Sequence, residues 1–244
     1  MKTVQFLSNS TQIDKITKGL NLTRSLFVSS LLMGEEHTGK KTLIKMLFPD
    51  STYVDALQEE ELTTALQNNN ELIIYNFEQI KNIESLNFEH KRIIAIANST
   101  KNKERLSHFF AFIYEMPNLQ NREDVNKLID YFYKQSAETL MIDEPIKLDK
   151  KKLDLSHNIK SLKASICKQL LLKSLQKEEI KTLLYDYLHE ELEGNNAYRT
   201  HLRLFEEPLL KAGLSKYKSQ LKLAGVLGLN RNTLRKKLQE YDIN

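Results

Sequence analysis

Residues 219–244, SQLKLAGVLGLNRNTLRKKLQEYDIN, constrain the fold of this chain more than any other stretch. Two short helical patterns meet here at Gly228. Leu221, Ala224 and Val226, with Leu227, precede it, and Leu234 and Leu238 follow at the i, i+4 spacing that builds one apolar face. Gly228 suits a backbone position with positive φ, and Asn230 can cap the N–H groups that follow. Ala224 is small enough for two helices to cross closely, so the stretch predicts a helix-turn-helix. With Leu234 and Leu238 inward, Arg231, Asn232, Arg235, Lys236 and Gln239 face outward, as on a helix built for a DNA major groove.

Charge placement agrees. The formal net charge is only +4, but eight Lys/Arg against two acids put +6 between residues 211 and 244 and leave −2 on the rest. The polyanion-binding surface is therefore local. Cys167 is the only cysteine and the six histidines are scattered, which excludes an intramolecular disulfide and leaves no metal-ligand pattern. No signal peptide is expected, and no apolar run approaches the roughly 20 residues needed to span a bilayer. A cytoplasmic, nucleoid-associated protein without membrane contact is expected.

Taken in order, residues 11–20 place Ile13, Ile16 and Leu20 on one helical face. Residues 25–33 (SLFVSSLLM) predict a buried strand that runs into GEEHTGKK, where four residues separate Gly34 from Gly39 and Lys40. A strand, a glycine-bounded loop and then a helix form the context of a phosphate-binding loop, with backbone N–H groups and Lys40 turned to the anion. Lys41 stands where Ser or Thr usually holds magnesium.

Further strands are predicted at 52–56, 71–77, 91–97 and 109–115. Helices are predicted at 57–67, 80–86, 101–107 and 123–134, the last with Val125, Leu128, Ile129 and Phe132 inward. Alternating helices and apolar strands imply an α/β domain with a parallel sheet covered on both faces. From 137 onward the pattern is helical, with helices at 159–175 and 178–192. A linker at 145–155 carries the Lys150, Lys151, Lys152 run as a solvated face. Residues 198–214 bear Leu202, Phe205, Leu209 and Leu210, too much apolar surface for a lone helix, and read as a dimer seam. Pro208 is expected to kink this helix or start a new one. The organisation expected is an α/β domain at 1–136, a helical lid and linker at 137–194, and an all-α DNA-binding and dimerisation domain at 195–244.

The words FEEPLL (205–210) and LGLNRNTLRKKL (227–238) resemble the Fis-type domain that also closes the NtrC-type sigma-54 activators. The resemblance implies a homodimer on double-stranded DNA, with recognition helices about one DNA turn apart. It makes Asn230, Arg231, Asn232, Thr233, Arg235, Lys236 and Lys237 contact candidates. Arg231, Asn232 and Arg235 would read base edges, while Lys222, Thr233, Lys236 and Lys237 would meet phosphates. GEEHTGKK resembles the phosphate loop GESGTGKE of the same family. RIIAIAN (92–98), MPNLQNREDVNKLIDYF (116–132) and HNIKSLK (157–163) resemble its sensor strand, the entry to its lid and its GNVRQL sensor. The whole resembles a shortened AAA+ domain with helical lid ahead of the Fis-type domain.

The departures from that family bear on function. Two acids that hold magnesium and polarise water are replaced by Tyr75 and Asn76, and Glu78 lies two residues on. His108 stands at an arginine-finger position and Lys160 at the lid arginine, keeping charge but losing the planar fork. No GAFTGA loop occurs between Lys40 and Leu72, and no receiver domain is expected at the N-terminus. Phosphoryl transfer depends on metal and positioning for most of its rate, so no catalytic residue and no metal site is assigned. Gly34, Gly39, Lys40, Lys41 and Thr42 remain as nucleotide-binding candidates for ATP or ADP. The chain reads as a sequence-specific, dimeric transcription regulator rather than an enzyme, with RNA polymerase or another regulator as a further partner. Two alternatives stay open: a Fis-like architectural protein that bends DNA, and a sigma-54 activator with residual ATPase activity.

Overall fold

The computed structural model describes residues 10–98, 106 and 108–243. The chain divides into two compact units, Met1–Ser174 and Leu175–Asn244. The segment expected as lid and linker, 137–194, is divided between them.

In the first unit, α1 (Thr11–Leu26) precedes β1 (Ser30–Gly34), α2 (Lys40–Leu47), β2 (Tyr53–Asp55), α3 (Glu59–Asn68), β3 (Glu71–Tyr75), β4 (Arg92–Asn98) and β5 (Phe112–Glu115). The five strands form one sheet in the order β2-β3-β4-β1-β5, and every pairing is parallel. Successive strand residues point to opposite faces, and here both faces are dry. Leu31, Met33, Leu72, Ile74, Ile93 and Ala95 pack with Leu62 and Leu66 of α3. Leu32, Ile73, Ile94 and Ile96 pack on the other side with Ile13, Ile16 and Leu20 of α1 and Leu43 and Ile44 of α2. That double burial is why the strands read as continuous apolar runs. β1 lies between β4 and β5, where the strand order reverses, so the crevice at its carboxyl end is the natural ligand position of such a sheet.

After the sheet, α4 (Val125–Thr139) and α5 (Asn158–Ser174) pack through Leu128, Ile129, Phe132, Leu162, Ile166 and Leu170. The second unit holds α6 (Lys177–Glu191), α7 (Ala197–Tyr217), α8 (Gln220–Leu227) and α9 (Arg231–Glu240). Leu210, Leu223, Ala224, Leu234, Leu238 and Tyr241 form its core. No helix among the described residues is long and apolar enough to cross a membrane.

Several expectations need correction. The strand predicted at 25–33 begins only at Ser30, because α1 runs on to Leu26 and ends at Phe27 in the left-handed region, φ 49°. Residues 80–86 hold only a 3-10 turn at Ile83–Ser85; Ile83 is buried and Ile80 and Leu86 half-buried, so they reach the core from irregular chain. The helix predicted at 101–107 falls outside the described residues except for Leu106, which is buried. Of the two expectations for Pro208, the new helix start is not met, since α7 continues through it. Both Pro208 and Leu204, whose carbonyl loses its partner, are exposed to water, which lowers the cost.

In α8 the buried pair is Leu223 and Ala224, while Leu221 and Val226 are exposed. Leu223 faces α7 at Gly213, where an added Cβ would collide with its side chain. Leu210, expected in the dimer seam, is instead 2% exposed inside this core. Gly213→Ala should therefore destabilise the second unit by about 1–3 kcal/mol through overpacking, read as a lower denaturation midpoint. An unchanged midpoint would contradict the close α7–α8 approach.

Candidate phosphate-loop and DNA-contact sites

β1 delivers the chain to Gly34, which lies beside Asn98 at the end of β4. A Cβ at Gly34 would sit 2.7 Å from the Met116 carbonyl oxygen, so glycine is needed for the close approach. Gly39 (φ 98°) closes the loop, and Lys40 opens α2. Lys40 is 5% exposed and its ammonium donates to the carbonyls of Gly34 (2.7 Å) and Glu35 (2.6 Å) and to Asn98 Oδ1 (3.3 Å). Burial lowers its pKa to about 8, against the opposing pull of Glu78 and Glu36. Lys41 is exposed and Thr42 half-buried at the start of the helix.

Two residues that sequence reading did not single out hold the loop in place. Asn158, buried at the start of α5, accepts from the Leu119 N–H (2.8 Å) and donates to Glu35 Oε2 (3.0 Å) and the Glu36 carbonyl (2.9 Å). The Ile159 N–H donates to the His37 carbonyl (3.1 Å). Arg122 pairs with Asp124 at 2.6 Å, both side chains fully buried, and its Nη1 donates to the Thr38 carbonyl (3.1 Å). The signal lay in the segments around 116–132 and 157–163, but their partners are far away in sequence.

At the end of β3 stand Tyr75 and Asn76. Tyr75 stacks on Tyr53 with centroids 5.4 Å apart, and the Lys41 ammonium lies 4.6 Å from the Tyr75 ring centroid. Asn76, at φ 52°, donates its side-chain amide to both oxygens of Asp55 (2.8 and 3.0 Å). Glu78 follows in a 3-10 turn, with Oε2 buried and without a hydrogen-bond partner. His108 is exposed. A cavity of about 550 Å³ opens over the loop, and Lys40, Lys41, Lys160 and Lys163 all line it. Among the described residues, no group of three or more His, Cys, Asp or Glu could hold a metal ion.

In the second unit, Gly228 (φ 65°) ends α8, and Asn230 caps α9 by accepting from the Asn232 N–H at 2.9 Å. Leu234 and Leu238 are buried, which leaves Arg231, Asn232, Thr233, Arg235 and Lys236 exposed on α9. Lys222 is exposed on α8. Lys237 lies differently: its ammonium is 2.5 Å from Glu206, which also accepts from the Tyr241 hydroxyl at 2.7 Å. These bonds hold the Glu206 carboxyl below its usual pKa and push the Tyr241 phenol up to about 12. They tie α9 to α7, and no periodicity marks them.

Residues 201–241 match the bacterial regulatory protein Fis-family model. A stretch of 64 residues is 45% identical to the DNA-binding transcriptional regulator NtrC of Azospirillum brasilense, covering 25% of this chain and 13% of that protein. This chain thus matches a small part of that relative's length. Among solved structures, NtrX from Brucella abortus in complex with ADP gives a TM-score of 0.52 at 15% identity, covering 99% of this chain and 70% of that one. The same protein in complex with ATP gives 0.50 at 14% identity, with 98% and 70% covered. The chain thus shares the fold of NtrX, and its residues 201–241 match the Fis-family model.

Lys40 carries a test of the loop. A phosphate placed beside its ammonium raises the depressed pKa, so anion binding should take up protons above about pH 8 and few at pH 7. Calorimetry in buffers of different ionisation enthalpy would read this. Equal, near-zero uptake at both pH values would place the anion elsewhere.

Proposed function

We propose that this protein is a dimeric, sequence-specific DNA-binding transcription regulator whose AAA+ unit binds ADP or ATP without hydrolysing it. The observation that carries the reading is α9: buried Leu234 and Leu238 set its rotation, and the cap at Asn230 sets its start. Arg231, Asn232 and Arg235 then share the exposed side suited to base edges, with Lys236, Thr233 and Lys222 placed for phosphates. The Fis-family match over the same residues supports this. Lys237, held by Glu206, acts first as a brace.

The case for a dimer rests on surface that a monomer leaves wet. α6 buries no residue and exposes Ile180, Leu183, Leu184 and Tyr187. α7 exposes Leu204, Phe205 and Leu209, and Leu202 is half-buried. Exposed apolar residues at helical spacing, as on each of these helices, mark an interaction site, and a two-fold pair of recognition helices suits half-sites about one DNA turn apart.

The nucleotide reading rests on Gly34, Gly39, Lys40, Lys41 and Thr42 around the cavity, and on NtrX, which shares the fold and is solved with ADP and with ATP. Absence of turnover follows from side-chain chemistry. Tyr75 and Asn76 carry no charge where carboxylates would polarise water, and Asn76 spends its amide on Asp55.

On randomised operator libraries, Arg231→Ala and Asn232→Ala should each relax preference at particular base pairs, costing about 1–3 kcal/mol there. Lys236→Ala should weaken all sequences alike and flatten the salt dependence. Equal losses on all DNA for the three variants would count against base reading, and broad A/T-rich occupancy would favour an architectural role. Phe205→Asp should shift the sedimentation of the intact protein toward monomer. ATP turnover should match that of Lys40→Ala, and magnesium-dependent turnover abolished by that change would overturn the non-hydrolysing reading.

A further inference from the structure

We propose that the phosphate loop takes a nucleoside di- or triphosphate as the free anion, with the Lys41 ammonium standing where a divalent metal would sit. The inference rests on the reading of the loop as a nucleotide site and concerns how that site balances charge.

Magnesium needs near-octahedral oxygen coordination, with one or two carboxylates beside the phosphate oxygens. The groups at that place in this chain are an ammonium, a phenol and a carboxamide. Lys41 follows the loop lysine, at the position where the resembled loop GESGTGKE carries an acid, and its Nζ sits 4.6 Å from the centre of the Tyr75 ring. Tyr75 is itself steadied by stacking on Tyr53, so the aromatic pair forms a platform that holds the cation beside the loop. Asn76 turns its amide onto Asp55, whose oxygens also receive the Leu57 N–H at 3.1 Å. Glu35 is drawn away by Asn158 at 3.0 Å. Glu78 does not line the cavity, and its carboxylate acts on Lys40 from outside it. These residues do not fit a magnesium ion.

They do fit an anion. Four lysines, Lys40, Lys41, Lys160 and Lys163, line the cavity against a single acid, Glu36. Di- and triphosphates carry about three to four negative charges near neutral pH, which suits a wall with this excess of lysine, of which the Lys163 ammonium also lies 4.6 Å from the Phe132 ring centre. A bound divalent ion would instead add two positive charges to a wall already rich in them.

The test is calorimetric titration of the full chain with ADP in excess magnesium and in excess EDTA. Affinity in EDTA should equal or exceed that in magnesium. Lys41→Ala, an exposed position whose loss leaves the fold intact by circular dichroism, should lower the EDTA affinity by about tenfold or more, roughly the loss of one charge-assisted contact. Glu78→Gln should leave the ratio of the EDTA and magnesium affinities unchanged. A drop of about tenfold on removing magnesium, or loss of magnesium-supported binding in Glu78→Gln, would overturn the proposal while leaving nucleotide binding standing. No binding under either condition would sink both.

Discussion

The burial of Leu234 and Leu238 against Leu210, Leu223 and Ala224 is the interaction on which the reading of the second unit depends. Two residues four apart, both inside, leave a ten-residue helix little freedom to rotate about its own axis. Everything on its outer side is thereby placed. The cap at Asn230 fixes the first turn, and the Lys237–Glu206–Tyr241 cluster fixes the last. A recognition helix needs such a scaffold, because base contacts tolerate little error in position.

The first unit follows a different economy. The loop between β1 and α2 keeps its shape through Asn158, Arg122 and the Ile159 N–H, which bond backbone or side chains of the loop from behind. The Asn158 and Arg122 side chains are buried and hydrogen-bonded, the condition under which polar groups specify one geometry rather than cost stability. The opposite wall carries a ring, an amide and an ammonium, from Tyr75, Asn76 and Lys41, where the proposed reading expects no metal ligand. A site can hold its form while its chemistry changes, since positioning and charge are supplied by different residues.

Sequence periodicity made the central strands and long helices legible because burial on a fixed face repeats along the chain. Residues 72–74 and 93–97 are apolar throughout since both faces of the sheet are covered, and the pair Leu234 and Leu238 announced α9. The same reasoning failed where burial has no period. Residues 25–27 look β-prone but belong to the end of α1 and its left-handed cap, and 80–86 enters the core with no more than a 3-10 turn. In α8, Leu221 and Val226 were plausible core residues until the close approach at Gly213 selected Leu223. At the site, the glycines and lysines were visible in their spacing. Asn158, Arg122 and Glu206 were not, because each acts through partners 31 to 123 residues away.

In the function proposed here, the carboxy-terminal unit enters duplex DNA as a pair. Hydroxyl-radical footprinting of the intact protein on its selected operator tests this most directly. Two equivalent protected patches, centred about one helical turn (roughly 34 Å) apart on the same side of the duplex, are predicted. A single unpaired patch, or uniform protection without register at moderate ionic strength, would contradict it.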